Sequence, residues 1–473
     1  MIPQVVGAFF FATILFVYFS SRARALQRAR PLDEDRLPFP ALGQASTMFS
    51  LTSLFGACFG MFLVLGVYAI AGIAAGTIVG LLLVRTLIAS SAKTYEGAVY
   101  ERLRRLPHPA VFAGPLIGVQ LAFAVSELLL LHSVFLSGLG MLPLYAILFT
   151  ACVAIIGYSY CLIGGYGAVY RTDIVQFVVI TIMCLVLIAY MATTVTTTTF
   201  AASLSLRLQA HHPGHWFADS IPSIFLQRSF DLVVGFLLGI TFILSSPDAW
   251  KRVFIVSRKH PTKRSVALLA AAGALPFVLI TPVVLAARPS VYGDLDPMFL
   301  VRDLSVNGMV FAFLILGMIA CFLSAFNSAL ISATHLAVLV ARNRAAASDE
   351  LVRYRYIIAV NFAVIIVLFI ATIGFGNPYA LGNLLIAPYG IAGALIAATR
   401  GATVPARPRF IAWVWALGLL AWTLCLIPHA HILAFATTKQ ANTIPWAMAI
   451  SLLAFVAVVI STRGRRAIGL GIR

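Results

Sequence analysis

Thirteen runs of mostly apolar residues follow one another along the chain, at approximately 4–20, 47–64, 66–90, 111–137, 140–160, 173–194, 232–247, 265–287, 308–340, 356–375, 379–398, 410–428 and 445–462. Crossing the hydrocarbon core of a bilayer takes about 20 such residues as a helix, because water is absent there and every backbone polar group must be satisfied within the segment. The runs therefore predict an all-α polytopic membrane protein. A soluble fold is excluded, since hydrophobic residues make up 61% of the 473 and charged residues only 10%.

The 33 lysines and arginines against 15 acidic residues leave a formal charge of +18, a balance that in a soluble chain would suggest nucleic acid. Their placement argues otherwise. All but Arg207, Arg228, Arg288, Arg302 and Lys439 fall in alternate gaps or, for Arg85, at the inner end of a run, on one side of the thirteen runs. Lys and Arg in excess mark cytoplasmic loops, so the N-terminus is expected outside and the C-terminus inside. The arginine clusters read as topology determinants and contacts to lipid headgroups, with no nucleic-acid partner. The first run, from Val5 to Phe19, has its positive charges after it, which reads as an N-out anchor helix and not a signal peptide.

The six cysteines, Cys58, Cys152, Cys161, Cys184, Cys321 and Cys425, lie in or at the ends of runs, so neither disulfides nor a thiolate metal site is expected. The longest gap, Val195 to Asp231, is placed outside and contains His211, His212 and His215. Three close imidazoles could hold a transition metal. Without a nearby carboxylate or thiolate, the better reading is a solvated loop.

Of the acidic residues only Glu127 falls deep within a run, where an ionised carboxylate costs roughly 3 kcal/mol or more. It must be neutral, paired or next to water. Gln120, seven residues earlier, is two turns away on the same helix face. Two readings follow: Glu127 binds a substrate amine, a cation or a proton in a central cavity, or it is a protonated carboxyl hydrogen-bonded to another helix. His132 lies about 140° around the helix from Glu127 at 100° per residue, so a relay between them within this helix is not expected.

A second polar stripe lies in the run 308–340, where Ser324, Ser328 and His335 share a face with Asn327 at its edge. Hydroxyl and amide oxygens are hard ligands suited to a dehydrated alkali cation. The same stripe could equally be helix packing, with hydroxyls bonded back to their own helix. Two runs look breakable: 47–64 opens with Thr47, Ser50, Thr52 and Ser53, and 232–247 carries Gly235 and Gly239 and ends in Ser245-Ser246-Pro247. Interrupted spans at corresponding places in two halves point to discontinuous helices around a midplane site.

The stretch Gly164-Gly165-Tyr166-Gly167-Ala168-Val169-Tyr170-Arg171-Thr172-Asp173-Ile174-Val175-Gln176 resembles the GG-x-x-A-V-x-x-T-D-x-x-Q signature of the sodium:solute symporter family. Pro247-Asp248-Ala249-Trp250-Lys251-Arg252 is similar to its P-x-x-W-Q-R stretch, and Ser324 to Ser332 to its S-T-x-D-S pattern. The resemblance implies a LeuT-type fold: a ten-helix inverted repeat of five plus five, with one leading and two trailing helices. On that reading 1–40 is the leading helix and its cytoplasmic loop, 41–194 the first repeat, 195–231 an outer loop, 232–398 the second repeat and 399–473 the trailing pair.

The resemblance further implies sodium coordination by Ser324 on the eighth core helix with backbone oxygens of the broken first helix, and an aspartate, Asp173, associated with ion release. Ala325 stands where a second hydroxyl is usual, Asn327 where a carboxylate is common, and Lys251 where the family has Gln. Ser328, Asn327 or hydroxyls such as Thr47 and Ser50 could complete the shell. The expected function is secondary active import of a small polar organic solute across the plasma membrane by Na+ symport, with no enzymatic activity and no cofactor. Coupling to a proton on Glu127, uncoupled facilitation, and a transporter-like sensor without net transport are the alternatives.

Overall fold

A computed structural model describes residues 61–87, 109–194, 308–341 and 350–373, parts of 229–278, and Gly7. Helix α1 is Met61–Leu87, α2 Pro109–Ser133, α3 Pro143–Thr194, α4 Pro247–Lys259, α5 Gly308–Ala341 and α6 Glu350–Thr372. Among the described residues there are no strands. Five segments are long and apolar enough to cross a membrane: Leu116–Gly138, Pro143–Gly165, Thr172–Tyr190, Gly308–Val338 and Val352–Thr372. At 1.5 Å per residue the shortest, of 19 residues, spans about 29 Å, the thickness of a bilayer core. The chain is a multi-pass membrane protein. The runs expected at 379–398, 410–428 and 445–462, all of 4–20 but Gly7, and nearly all of 47–64 lie outside the described residues.

Two boundaries differ from the expectation. Gly66 was expected to separate two spans, yet α1 runs through it. An isolated glycine costs a helix interior only about 1 kcal/mol, and no proline or charge accompanies it. Residues 161–172, expected as a gap, are helical on both sides of Gly165, the only interruption of α3. Gly165 has φ 52° and ψ −148°, a conformation essentially restricted to glycine. The reversal there is sharp: Tyr160 and Gln176 would sit about 24 Å apart along a straight helix, but their side chains are hydrogen-bonded at 3.4 Å. The two arms of α3 fold back on each other.

Helix α5 is the centre of the described bundle. It packs against both arms of α3, along α2 and against α6 and α4, and Phe311, Leu314, Phe326, Leu330, Ile331 and Leu336 are completely buried along it. Helix α6 is peripheral. Its Val352, Tyr356, Val360, Val364, Val367 and Ile370 are exposed, an apolar face suited to lipid. Between α2 and α3 a π-turn, Val134–Gly138, closes with Leu139 N–H bonded to the Val134 carbonyl at 2.9 Å, satisfying a backbone acceptor at the helix end.

Helix α4 begins with a recognisable local signal. Ser246 caps it, its hydroxyl accepting from the Ala249 N–H at 3.3 Å, and Pro247 follows at the first helical position, where its missing N–H is not needed. Ala249, Trp250, Val253 and Val256 are buried, and so are Lys251 and Arg252. A short helix thus carries two cationic side chains into the interior against α1 and α5.

Candidate functional site

The second arm of α3, helix α5 and helix α4 converge on Asp173. Its carboxylate is fully buried, and Oδ2 accepts from Arg252 Nη1 at 2.9 Å. Arg252 Nη2 donates to Ser328 Oγ at 2.7 Å. The Ser324 hydroxyl donates to Asp173 Oδ1 at 3.3 Å. Ser324 and Ser328 are one turn apart on α5, which is why both reach the same ion pair. Isolated charges are too costly to bury; here each is paired and hydrogen-bonded, and removing either partner would leave the other uncompensated, at about 3–5 kcal/mol.

Beside this pair runs a network of neutral groups. Asn327 Nδ2 donates to the Tyr160 hydroxyl in a short contact, and Gln176 Nε2 donates to the same oxygen at 3.4 Å. Cys161 Sγ donates to Asn327 Oδ1 at 3.5 Å. Tyr354 on α6 donates to the Cys161 carbonyl at 3.3 Å, and the half-buried His335 meets the Tyr354 ring edge-on at 5.8 Å. The Oε1 atom of Gln176 is buried without a hydrogen-bond partner, an acceptor left available to a water, solute or ion.

Of the residues singled out from the sequence, the structure brings together Asp173, Ser324, Ser328 and, through the neighbouring network, Asn327. The stripe on α5 divides: Ser324 and Ser328 turn to the ion pair, Asn327 to Tyr160, and His335 to Tyr354. The hydroxyls of Ser324 and Ser328 therefore bond to other helices and not to their own. Ser126 on α2 does the opposite, donating to the Phe123 carbonyl at 2.7 Å. Ala325 is buried on α5, a methyl group where the resemblance expects an oxygen.

Glu127 and Gln120 are both buried on α2, the helix that packs along α5 and α6. His132, also on α2, meets Phe369 of α6 edge-on at 5.9 Å, and its Nδ1 is buried without a hydrogen-bond partner. Thr47 and Ser50 lie outside the described residues, as do His211, His212 and His215. Among the described residues no group of three His, Cys, Asp or Glu side chains is placed to hold a metal.

Sequence reasoning missed Arg252 as a partner of Asp173, along with Tyr160, Cys161 and Tyr354. One signal was available. Gln176 follows Asp173 by three residues in the T-D-x-x-Q stretch, so both lie on one helix face. Nothing in the spacing announced that Arg252, 79 positions away, would complete the pair.

No family model matches the chain, and no curated protein sequence matches it. Its structure is similar to that of a Na+-coupled sialic acid symporter in a substrate-bound, outward-open state, with a TM-score of 0.64 at 14% identity, covering 95% of this chain and 97% of the other. A nucleobase-cation-symport-1 family transporter, in a closed conformation with bromovinylhydantoin bound, gives a TM-score of 0.43 at 15% identity, covering 89% of this chain and 91% of that one. The first likeness extends over nearly the whole of both chains. The protein has the LeuT fold of that symporter.

Proposed function

We propose that the chain is a secondary active transporter that imports a small polar organic solute across the plasma membrane with Na+, by alternating access between outward-open and inward-open states. The observation that carries this reading is the buried carboxylate of Asp173 with the hydroxyls of Ser324 and Ser328 around it, on helices apolar enough to cross a bilayer. A buried carboxylate with hydroxyls of a second helix beside it offers the hard oxygens that an alkali cation takes. The shared fold supports the reading, and Na+ is the coupling ion named for that symporter. In this scheme Ser324, Ser328, Asn327 and Asp173, with Thr47 and Ser50, supply oxygens to the cation, while Glu127 and Gln120 face the solute. The thirteen-span layout with the N-terminus outside, the five-plus-five division into 41–194 and 232–398, and a role that is not enzymatic belong to the same proposal.

Counterflow of a panel of labelled solutes into proteoliposomes, with and without an inward Na+ gradient, tests it. Exchange of at least one solute, accelerated by the gradient, is expected; no exchange of any member under either condition refutes transport. Burial of Glu127 favours one second reading, coupling to a proton on that carboxyl. It predicts that Glu127→Gln abolishes the pH dependence of uptake, and a variant with full pH-dependent uptake would exclude it.

A further inference from the structure

The oxygens that a coupling cation would use are already held by a positive group of the chain itself. Arg252 places one guanidinium nitrogen 2.9 Å from Asp173 Oδ2 and another 2.7 Å from Ser328 Oγ, while Ser324 donates to the second carboxylate oxygen. A guanidinium and an alkali ion carry the same single charge and are both satisfied by hard oxygens. They cannot use these atoms together. Asp173 is fully buried, and one buried carboxylate cannot compensate two desolvated cations. Lys251, next in sequence and also buried, brings a further positive charge into the interior on the same turn of α4.

We propose that Arg252 is a tethered competitor for the coupling cation. Without the ion its guanidinium holds Asp173 and Ser328; a free monovalent cation binds only as α4 draws that guanidinium away, and the return of Arg252 expels it. This rests on the transport reading for the identity of the cation and adds to it a device for release. The mechanism is a population shift: the ion stabilises the state in which the arginine is withdrawn, in proportion to its preference for that state. The position of α4 suits the task. It is 13 residues long, starts at a serine cap, and packs against both α1 and α5, so a small displacement moves the guanidinium without unfolding a membrane span.

Equilibrium binding of radioactive Na+ to purified protein tests the proposal. Arg252→Gln, which keeps an amide donor and removes the charge, should bind Na+ at least tenfold more tightly than wild type, and Arg252→Lys should stay near wild type. Equal or weaker affinity in Arg252→Gln overturns the proposal. Because that variant could fail to fold, hydrogen exchange on the wild-type protein provides a second measurement. Na+, compared with choline at equal ionic strength, should speed amide exchange in 247–259, and unchanged or slowed exchange also overturns it. Solute counterflow on the wild-type protein judges transport separately: exchange together with unaltered Na+ affinity in Arg252→Gln refutes the competitor and leaves the transporter standing.

Discussion

Two helix contacts in this molecule are built on opposite principles. Where α5 meets α3 and α4, the contact is a carboxylate, a guanidinium, two hydroxyls and an amide network. Where α1 meets the described residues between 232 and 243, Gly72, Gly76 and Gly239 bring backbone against backbone. A Cβ added to Gly76 would collide with the Phe236 carbonyl oxygen, and one added to Gly239 with that of Ile73. In lipid there is no hydrophobic force between helices, so close backbone packing through small residues is one way to hold them and polar contacts are the other. The two differ in what can disturb them. A glycine contact has no alternative partner, whereas each atom of the polar contact could instead face water, an ion or a solute. The first is suited to a part that moves as a unit and the second to a part that changes state.

The largest expected effect comes from breaking the glycine contact. Gly239→Leu places a branched side chain against backbone atoms that cannot yield, and should cost more than about 3 kcal/mol. Size-exclusion chromatography in detergent should show no monodisperse protein, and a well-folded, wild-type-like peak would contradict the close crossing. Asp173→Asn comes next. It leaves a buried arginine without its counter-charge, at about 3–5 kcal/mol, and adding Arg252→Gln should recover most of that loss because no unpaired charge remains. Thermal unfolding of the single and double variants measures this, and equal losses in both would show that the pair is not coupled.

Gly157→Ala is expected to be milder. The new methyl would lie 2.7 Å from Asn327 Oδ1, a side chain that can shift, so about 1–2 kcal/mol follows, with the Cys161–Asn327 bond as the first casualty. Ser126→Ala should be nearly silent, within about 0.5 kcal/mol, because its hydroxyl only returns to its own helix. A large loss of thermal stability there would mean that the α2 serine has a role beyond that bond.

Much of this was legible in the sequence, and the unevenness has a physical cause. Apolar length fixes a membrane helix almost by itself, so 111–137 and 308–340 correspond closely to the helices observed, while the helix expected at 356–375 begins earlier, at Glu350. The i, i+4 spacing of Ser324 and Ser328 was sufficient to place both on one face. The glycine-rich stretch around Gly165 suggested a loop, whereas a single residue with positive φ suffices to turn the chain, because the residues on both sides favour helix. What the sequence could not reveal was pairing at long range. Arg252 was grouped with the basic residues of a cytoplasmic gap, since charge alone says which side of a membrane a residue prefers and not which buried carboxylate it will meet. Tyr160 and Cys161 looked like two more apolar-run residues until the fold brought Asn327 to them.

The central claim, that the hydroxyls around Asp173 form the cation site while the glycine contact is structural, is tested most directly by Na+ affinity in the Ser324→Ala/Ser328→Ala double variant, in preparations shown to be monodisperse. The account predicts a loss of at least tenfold against wild type, with Gly114→Ala, at a position with open space around it, as the unaffected control. Unchanged Na+ affinity in the double serine variant would contradict it.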